Sequence, residues 1–515
     1  MVIVSVTMDL ALGEGYTYAG GLGVLEGDKF YAAGRMGIDY IVITLFYRNG
    51  YVEYVQHNGE LVPVEQEQPL EFLDKLKPLE GFIIDLKGEK VSVRIWEYTY
   101  NSARALFFEA TSPDWARSLT SRIYIEGSLE EKFYKNVFLA KVAKEFIENR
   151  IGVENTDYVD LQEAHAAFLP LLLPIKDKYR LVIHTPGPWG HLVLPRELVE
   201  KEINYNFDSR SVIMTELGLS LVQDAFVVSA KQVDLTKKTF PLHAVKIRHV
   251  TNCIDLKWWM DSELRRLYID KELDERTFRR VHEELRGKFI KYLKHLKGFE
   301  VDDERIIISY ARRIASYKRP EFIMRFIEKN EDLPAIYVLS GKTHPQDFDG
   351  LKKMGQMYQM SRSHDNVFFL PNYDLKLAKL ILQCSDLNIF TPFSGWEACG
   401  TSYMKAGVNG IPSLSSRDGG AIELIEDDFN GWLFGKDLRE LIDIYKDPKA
   451  DAINREDYAE FESKLSRIIE KYHGNKEGFY KVGLNAIKTF VPKVDINNLL
   501  IKYYNGVVKS LADQP

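Results

Sequence analysis

Short runs of apolar and β-branched residues recur along this chain, separated by longer stretches in which apolar residues return every three or four positions. In the first half the runs are VIVSV (2–6), YIVITLFY (40–47), YVDL (158–161), RLVIH (180–184) and AFVVS (225–229). In the second they are RIIIS (305–309), AIYVLS (335–340), VFFL (367–370), LNIF (387–390) and IPSLS (411–415). Runs that are apolar on both faces suit parallel strands covered by helices on each side, so the pattern predicts an α/β protein. Helix signals lie between the runs. Ser128 and Glu131 have the spacing of a capping box, and Phe133, Val137, Ala140 and Phe146 follow at helical spacing. Residues 260–300 are dense in charge and read as a solvated helical connection rather than a binding surface. NLLIKYYNGVVKSLA (498–512) predicts a terminal helix that packs back on the body. No internal repeat or low-complexity tract is visible.

The chain has 515 residues, and single hydrophobic cores stop growing near about 250–300 residues. Two Rossmann-like domains are therefore expected, over 1–250 and 251–490, with 491–515 as the returning helix. Hydrophobic residues make up 45% and charged residues 28%, the balance of a soluble globular protein. A net charge of -7 provides no basic field, which argues against nucleic acid and anionic membranes as partners. Any anion must be held by local groups. Cys253, Cys384 and Cys399 are scattered and odd in number, so reduced thiols and a cytoplasmic location are expected. The N-terminus lacks a basic leader, and no run of about 18 apolar residues occurs.

In doubly wound sheets, ligands sit beyond the carboxyl ends of the strands. Four loops in such positions carry candidate chemistry. TYAGGLGVLEGD (17–28) offers Gly20, Gly21 and Gly23, where backbone can approach a ligand, although a tight turn explains them as well. HTPGPWGH (184–191) could hold His184 or His191 toward a polyol, or keep a histidine for structure. LQEAHAAF (161–168) adds Glu163 and His165, but no further ligand set accompanies them, so no metal is expected. ARRIASYKRP (311–320) places Arg312, Arg313, Lys318 and Arg319 at the end of a buried strand, where a phosphate would compensate them.

The fourth loop is GWEACGTSYMKAGVNG (395–410). Gly400, Thr401 and Ser402 stand where a helix begins and could cradle an anion, and Lys405 follows one turn later. A buried lysine is costly unless it is paired or covalently used. Attachment to pyridoxal 5'-phosphate would satisfy it, though a surface lysine is the commoner case.

EACGTSYMKAGVNG resembles the cofactor-lysine segment of the α-glucan phosphorylases, the glycogen and maltodextrin phosphorylase family. TYAGGLGVLEGD, LQEAHAAF, HTPGPWGH, TNCIDLKWW (251–259), ARRIASYKR, SGKTHP (340–345) and LPNYD (370–374) resemble further family segments in the family's order, over roughly residues 1–435. The resemblance implies two Rossmann-like domains facing a central cleft, the GT-B glycosyltransferase fold. It implies pyridoxal 5'-phosphate on Lys405, and reversible release of glucose 1-phosphate from the non-reducing end of an α-glucan by inorganic phosphate, with retention. In that family the cofactor's phosphate exchanges a proton with substrate phosphate.

Residue by residue, the resemblance assigns substrate phosphate to Arg313 and Lys318 and the cofactor phosphate to Arg312, Thr401 and Ser402. Tyr373 and Trp259 would line the cofactor. Glu397, Cys399, Gly400, Asn252 and Tyr317 would bind the transferred glucose, His184 would stand near the sugar, and Gly20 and Gly21 would lie against substrate phosphate. It also implies a homodimer, although no interface can be located in the sequence. Tyr403 replaces the family's asparagine or glycine, Cys399 replaces serine, and TPFSGWEA differs from the usual approach to the glutamate. The chain is shorter than animal or bacterial glycogen phosphorylases, so their N-terminal regulatory elements are not expected.

Two other readings compete. IPSLSSRDGGAIELIEDDFNGWLFG has features of glycogen synthase-like enzymes that use ADP- or UDP-glucose without pyridoxal phosphate. Lys405 discriminates, because that position would there be an acid on the ribose. A non-catalytic glucan-binding protein is the third reading, and Glu397, Arg313, Lys318 and Lys405 count against it.

Overall fold

The computed structural model describes residues 2–187, 190–298 and 302–504. They form two compact units. Of the described residues, the first comprises 2–51, 65–187, 190–251 and 496–504, and the second 52–64, 252–298 and 302–495.

The first unit is built on a nine-stranded sheet in the order Ile247–His249, Asp224–Val227, Tyr179–Ile183, Thr156–Gln162, Val2–Val6, Tyr40–Leu45, Ala103–Ser112, Glu89–Tyr100, Lys77–Leu86. The first seven strands are parallel and the last two pairings antiparallel. Every residue of Val2–Val6 and Tyr40–Leu45 is buried, which is what helices on both faces of a parallel sheet require. The chain order reverses beside Val2–Val6, whose neighbours are Tyr40–Leu45 on one side and Thr156–Gln162 on the other. That reversal is the topological switch point, where the loops diverge and leave a crevice.

The described end of the chain closes this unit. Helix Ile496–Tyr503 overlaps the terminal helix expected over 498–512 and begins two residues before it, and residues 505–515 lie outside the described residues. The Arg180 guanidinium grips Asp160 through Nε at 2.7 Å and Nη2 at 2.8 Å, and donates to the Tyr503 carbonyl. It lies 4.2 Å from the Tyr158 ring and 4.7 Å from that of Tyr504, whose hydroxyl donates to Asp160 at 2.6 Å.

The second unit has a six-stranded, all-parallel sheet in the order Val367–Leu370, Ala335–Ser340, Ile306–Ala311, Leu387–Phe390, Ser413–Ser416, Trp432–Phe434. Counted along the chain this is the 3-2-1-4-5-6 order of a Rossmann sheet. Its switch point lies between Ile306–Ala311 and Leu387–Phe390. The hairpin Glu53–His57 and Glu60–Val64 packs here although it is flanked by first-unit sequence. Asn372 bonds both backbone groups of Tyr54, at 2.7 and 2.9 Å, and the Tyr54 hydroxyl donates to the Thr343 carbonyl at 3.0 Å. Each unit thus has the doubly wound α/β construction expected of a GT-B protein.

One expectation needs correction. The charged connection is not simply solvated. Helix Glu275–Lys297 buries Phe278, Val281, Leu285, Phe289, Ile290 and Leu293 along one face. His282 and Arg286 on that face meet Asp386 at 2.9 and 3.1 Å, and Asp386 also accepts from the Ile307 amide at 2.7 Å. The density of charge on the outer face hides a helical apolar stripe.

Removing the cation of a buried pair leaves a charge that nothing solvates. Arg180→Met should therefore lower the unfolding free energy by about 3–5 kcal/mol, read by chemical denaturation.

Candidate functional site

In the second unit, the loops leaving the two central strands bring opposite charges together. Arg312 directly follows strand Ile306–Ala311, and its amide bonds the Ser340 carbonyl at 3.0 Å. Lys318 lies in the short 3-10 turn Ser316–Lys318. Both reach Glu397, in the loop after Leu387–Phe390: Arg312 Nη2 and Lys318 Nζ each lie 3.0 Å from Glu397 Oε2, and Lys318 Nζ lies 3.3 Å from Oε1. Arg312 stacks at 4.1 Å on the Phe390 ring, and its Nε and Nη1 are buried without a partner. Arg313 is exposed, and its charge acts on Tyr317 and Glu397.

Burial opposes ionisation of Glu397, but Lys318 and Arg312 outweigh it and hold the carboxyl down at about 2. For Lys318, burial and then Arg312 push the ammonium down to about 7, against the attraction of Glu397. The cluster holds more positive charge than its one carboxylate can balance.

The glutamate's backbone is fixed from several sides. Asp418 accepts from the Gly395 amide at 2.7 Å and from the Glu397 amide at 2.9 Å. Trp396 is buried among Phe393, Ile442, Ala450 and Ile453, and its Nε1 donates to the Ile442 carbonyl at 2.8 Å. Asn252 Nδ2 donates to the Cys399 carbonyl at 3.0 Å. Cys399 Sγ is 3.5 Å from the Tyr403 hydroxyl, and burial pushes the thiol up to about 12. Gly400 is required by space: a Cβ there would lie 2.5 Å from two atoms of the Phe390 ring.

Ser402 opens helix Ser402–Gly407, with Thr401 as its N-cap, and Lys405 is buried on the same helix. Lys405 Nζ stands 3.7 Å from the centroid of the buried Trp259 ring. Tyr373 is partly exposed and feels the charge of Arg312. The structure therefore brings Arg312, Lys318, Glu397, Asn252, Cys399 and Gly400 into one neighbourhood. Arg319 separates from the other cations. It turns into the left-handed region at φ 48°, and its guanidinium donates to the carbonyls of Thr391 and Pro392 and to Asp457 at 2.7 Å. It is a structural ion pair and unavailable to phosphate.

The first unit's switch point is built differently. Gly20 and Gly21 have open space where a Cβ would stand. Their loop is tied to Asp9, which accepts from the Ala19 amide at 3.3 Å and the Tyr124 hydroxyl at 3.0 Å. Burial pushes Asp9 up to about 6 and Glu163 to about 7. Glu163 sits at φ 58° and accepts from the His184 amide at 3.0 Å and the Thr185 hydroxyl at 2.7 Å. Burial keeps His184 neutral, at about 3, with Nε2 bonded to Gln162 Oε1 at 2.9 Å. His191 bonds Thr215 through Nδ1 at 2.9 Å, while its buried Nε2 has no partner. Pro188 and Trp189 of the same loop lie outside the described residues. Among the described residues no group of three or more His, Cys, Asp or Glu could hold a metal, and no helix is long and apolar enough to cross a membrane.

Sequence reasoning did not single out Asp9 or Asp418. Asp418 was visible in the RDGG run, but nothing local shows that its carboxylate reaches back to residues 395 and 397.

The sequence model of the carbohydrate phosphorylase family matches residues 245–489, which carry the Arg312, Lys318 and Glu397 cluster together with Lys405. This stretch of the chain is similar to that family. It is 25% identical to the maltodextrin phosphorylase of Thermococcus litoralis, over 96% of this chain and 69% of that protein. It is 24% identical to the glycogen phosphorylase of Aquifex aeolicus, over 81% of this chain and 73% of the relative. An uncharacterized protein of Methanocaldococcus jannaschii is 24% identical over 79% of this chain and 82% of its own length.

Gly400→Ala should force Phe390 out of place and lower stability by about 1–3 kcal/mol, read by chemical denaturation with an unchanged denaturant slope.

Proposed function

We propose that this chain is an α-glucan phosphorylase that releases glucose 1-phosphate from the non-reducing end of an α-1,4-glucan, with retention. The observation that carries this reading is the surplus of cations at the second unit's switch point. Arg312 and Lys318 share one carboxylate while two guanidinium nitrogens of Arg312 remain buried and unpaired. Buried donors without acceptors are costly, and an anion with several oxygens satisfies them.

The residues around Lys405 fit pyridoxal 5'-phosphate. Lys405 Nζ lies buried against the Trp259 face on a helix opened by Thr401 and Ser402, and these hydroxyls with the unpaired nitrogens of Arg312 supply donors suited to a phosphate group. Tyr373 would complete the wall. Bound there, the cofactor would supply a phosphate monoester able to exchange a proton with substrate phosphate.

The chain's own groups account for the rest of the reaction. Arg313 and Lys318 would hold inorganic phosphate beside the anomeric carbon. As the bond from that carbon to the leaving oxygen breaks, the leaving oxygen takes a proton from phosphate. A phosphate oxygen then bonds the same face of the sugar. Cations spread over the phosphate stabilise the charge separation as the oxocarbenium-like sugar forms. Glu397 would accept from sugar hydroxyls, with Asn252 and Tyr317 beside it. Because Cys399 Sγ is turned to Tyr403, recognition at Cys399 and Gly400 would run through the main chain. In the first unit, the backbone at Gly20 and Gly21 would approach substrate. His184 would form a neutral wall, and His191 Nε2 would be the ring nitrogen open to a hydroxyl. The homodimer implied by the resemblance and the cytoplasmic location read from the scattered cysteines belong to the same proposal.

The first test is the absorption of the purified protein between about 320 and 430 nm, before and after borohydride, beside Lys405→Ala. A band fixed by borohydride in the parent and missing from the variant, with glucose 1-phosphate formed from maltodextrin and phosphate, is expected. A colourless protein that elongates glucan from ADP- or UDP-glucose would sink the proposal.

A second expectation concerns pH. Phosphate favours protonated Lys318, whereas the ligand-free site gives up that proton near pH 7. Affinity for phosphate should therefore fall as pH rises above 7, by at most about tenfold per unit for one proton. Titration calorimetry between pH 7 and 9 measures this, and a flat profile would remove Lys318 from the phosphate site.

A further inference from the structure

The cations assigned to phosphate are already engaged, and their partner is the residue assigned to the sugar. We propose that Glu397 is a place-holder for phosphate: its carboxylate neutralises Arg312 and Lys318 until phosphate displaces it, and only then is it available to sugar hydroxyls. This inference rests on the phosphorylase reading of the site.

Three observations support it. Both oxygens of Glu397 face cations, Oε2 at 3.0 Å from Arg312 Nη2 and Lys318 Nζ, and Oε1 at 3.3 Å from Lys318 Nζ. Held in this way, both oxygens are turned to the cations, although Oε2 makes no hydrogen bond there, and turning from the cations is a condition for holding the sugar. Second, the exchange favours phosphate. Lys318 and Arg313, the cations assigned to substrate phosphate, both act on the one Glu397 carboxylate, and a phosphate dianion brings them twice its charge and more oxygens.

Third, the structure confines the exchange to one side chain. Asp418 holds the amides of residues 395 and 397, and Trp396 is anchored to the Ile442 carbonyl. Gly419, at φ 51°, packs so closely on this loop that a Cβ would lie 2.5 Å from the carbonyl oxygens of Glu397 and Ala398. With the backbone fixed, rotation of the Glu397 side chain is the motion left to separate it from the cations.

Two consequences distinguish a place-holder from a fixed neighbouring charge. Without the carboxylate, phosphate no longer has a competitor, so Glu397→Gln should bind it more tightly. In the parent protein, phosphate frees the group that holds the sugar, so each ligand should strengthen the other by the same factor. A carboxylate that stayed in place and merely repelled phosphate would give the first effect without the second.

The experiment is titration calorimetry on the cofactor-loaded parent and on Glu397→Gln, with inorganic phosphate as titrant, in the absence and presence of saturating glucose. Thermal unfolding of the variant checks its fold. The expected result is phosphate affinity raised about tenfold in the variant, a similar gain with glucose in the parent, and loss of that coupling in the variant. Equal or weaker phosphate binding by a folded variant would overturn the inference, and so would independent binding of phosphate and glucose to the parent. The parent measurement needs no variant, so it decides even if Glu397→Gln fails to fold. A parent protein that binds no phosphate would overturn the phosphorylase reading itself. Binding without coupling would overturn the place-holder alone.

Discussion

The contact on which the second unit's chemistry depends is the shared ion pair of Glu397 with Arg312 and Lys318. Moving charges out of water costs several kcal/mol for each ion, and attraction repays that cost only when geometry is held. Much of the surrounding structure holds it. Asp418 pins the glutamate's backbone, Phe390 supports the Arg312 guanidinium and closes on Gly400, and the Arg319 pair with Asp457 braces the turn that carries Lys318. The strand order places these loops on either side of the switch point, so residues distant in sequence reach one carboxylate without long excursions of the chain.

The first unit repeats the topology with the opposite electrostatics. Where the second concentrates charge, the first suppresses it: His184 is neutral, and Asp9 and Glu163 are pushed toward protonation by burial. Its His184 is neutral and its two carboxyls are shifted toward protonation, and Gly20 and Gly21 have open space where a Cβ would stand. Such a surface suits hydroxyls, and the charged cluster of the second unit suits an anion.

The parallel strands were legible because burial on both faces leaves an unbroken apolar run. AIYVLS, VFFL and LNIF have the predicted boundaries, and most others shift by a residue or two, as Tyr179–Ile183 does. The antiparallel strands Lys77–Leu86 and Glu89–Tyr100 were not singled out. Their pattern alternates, as in KVSVRIWEYTY, and only one face is buried. The four-cation loop pointed correctly to a concentration of charge, but it could not show that Arg319 turns inward, because a single left-handed residue decides that. Asp418 was equally hidden, since its role arises from strand adjacency and no local spacing records which amides a carboxylate will meet.

Two of the departures from the family pattern, Tyr403 and Cys399, form one physical unit. Tyr403 is fully buried, packs edge-on against Phe390 at 4.9 Å between ring centroids, and brings its hydroxyl to Cys399 Sγ. A buried hydroxyl needs a partner, and a serine in place of Cys399 would be torn between that hydroxyl and a sugar. A thiol bonds weakly, fills the space and stays protonated under the burial that pushes it up to about 12. With Tyr403 in the core, the thiol at 399 is the neighbour that makes the weakest demand on that hydroxyl. The two substitutions therefore read as one exchange, in which a polar side-chain contact is given up for packing while the main chain of Cys399 and Gly400 keeps its place beside Glu397.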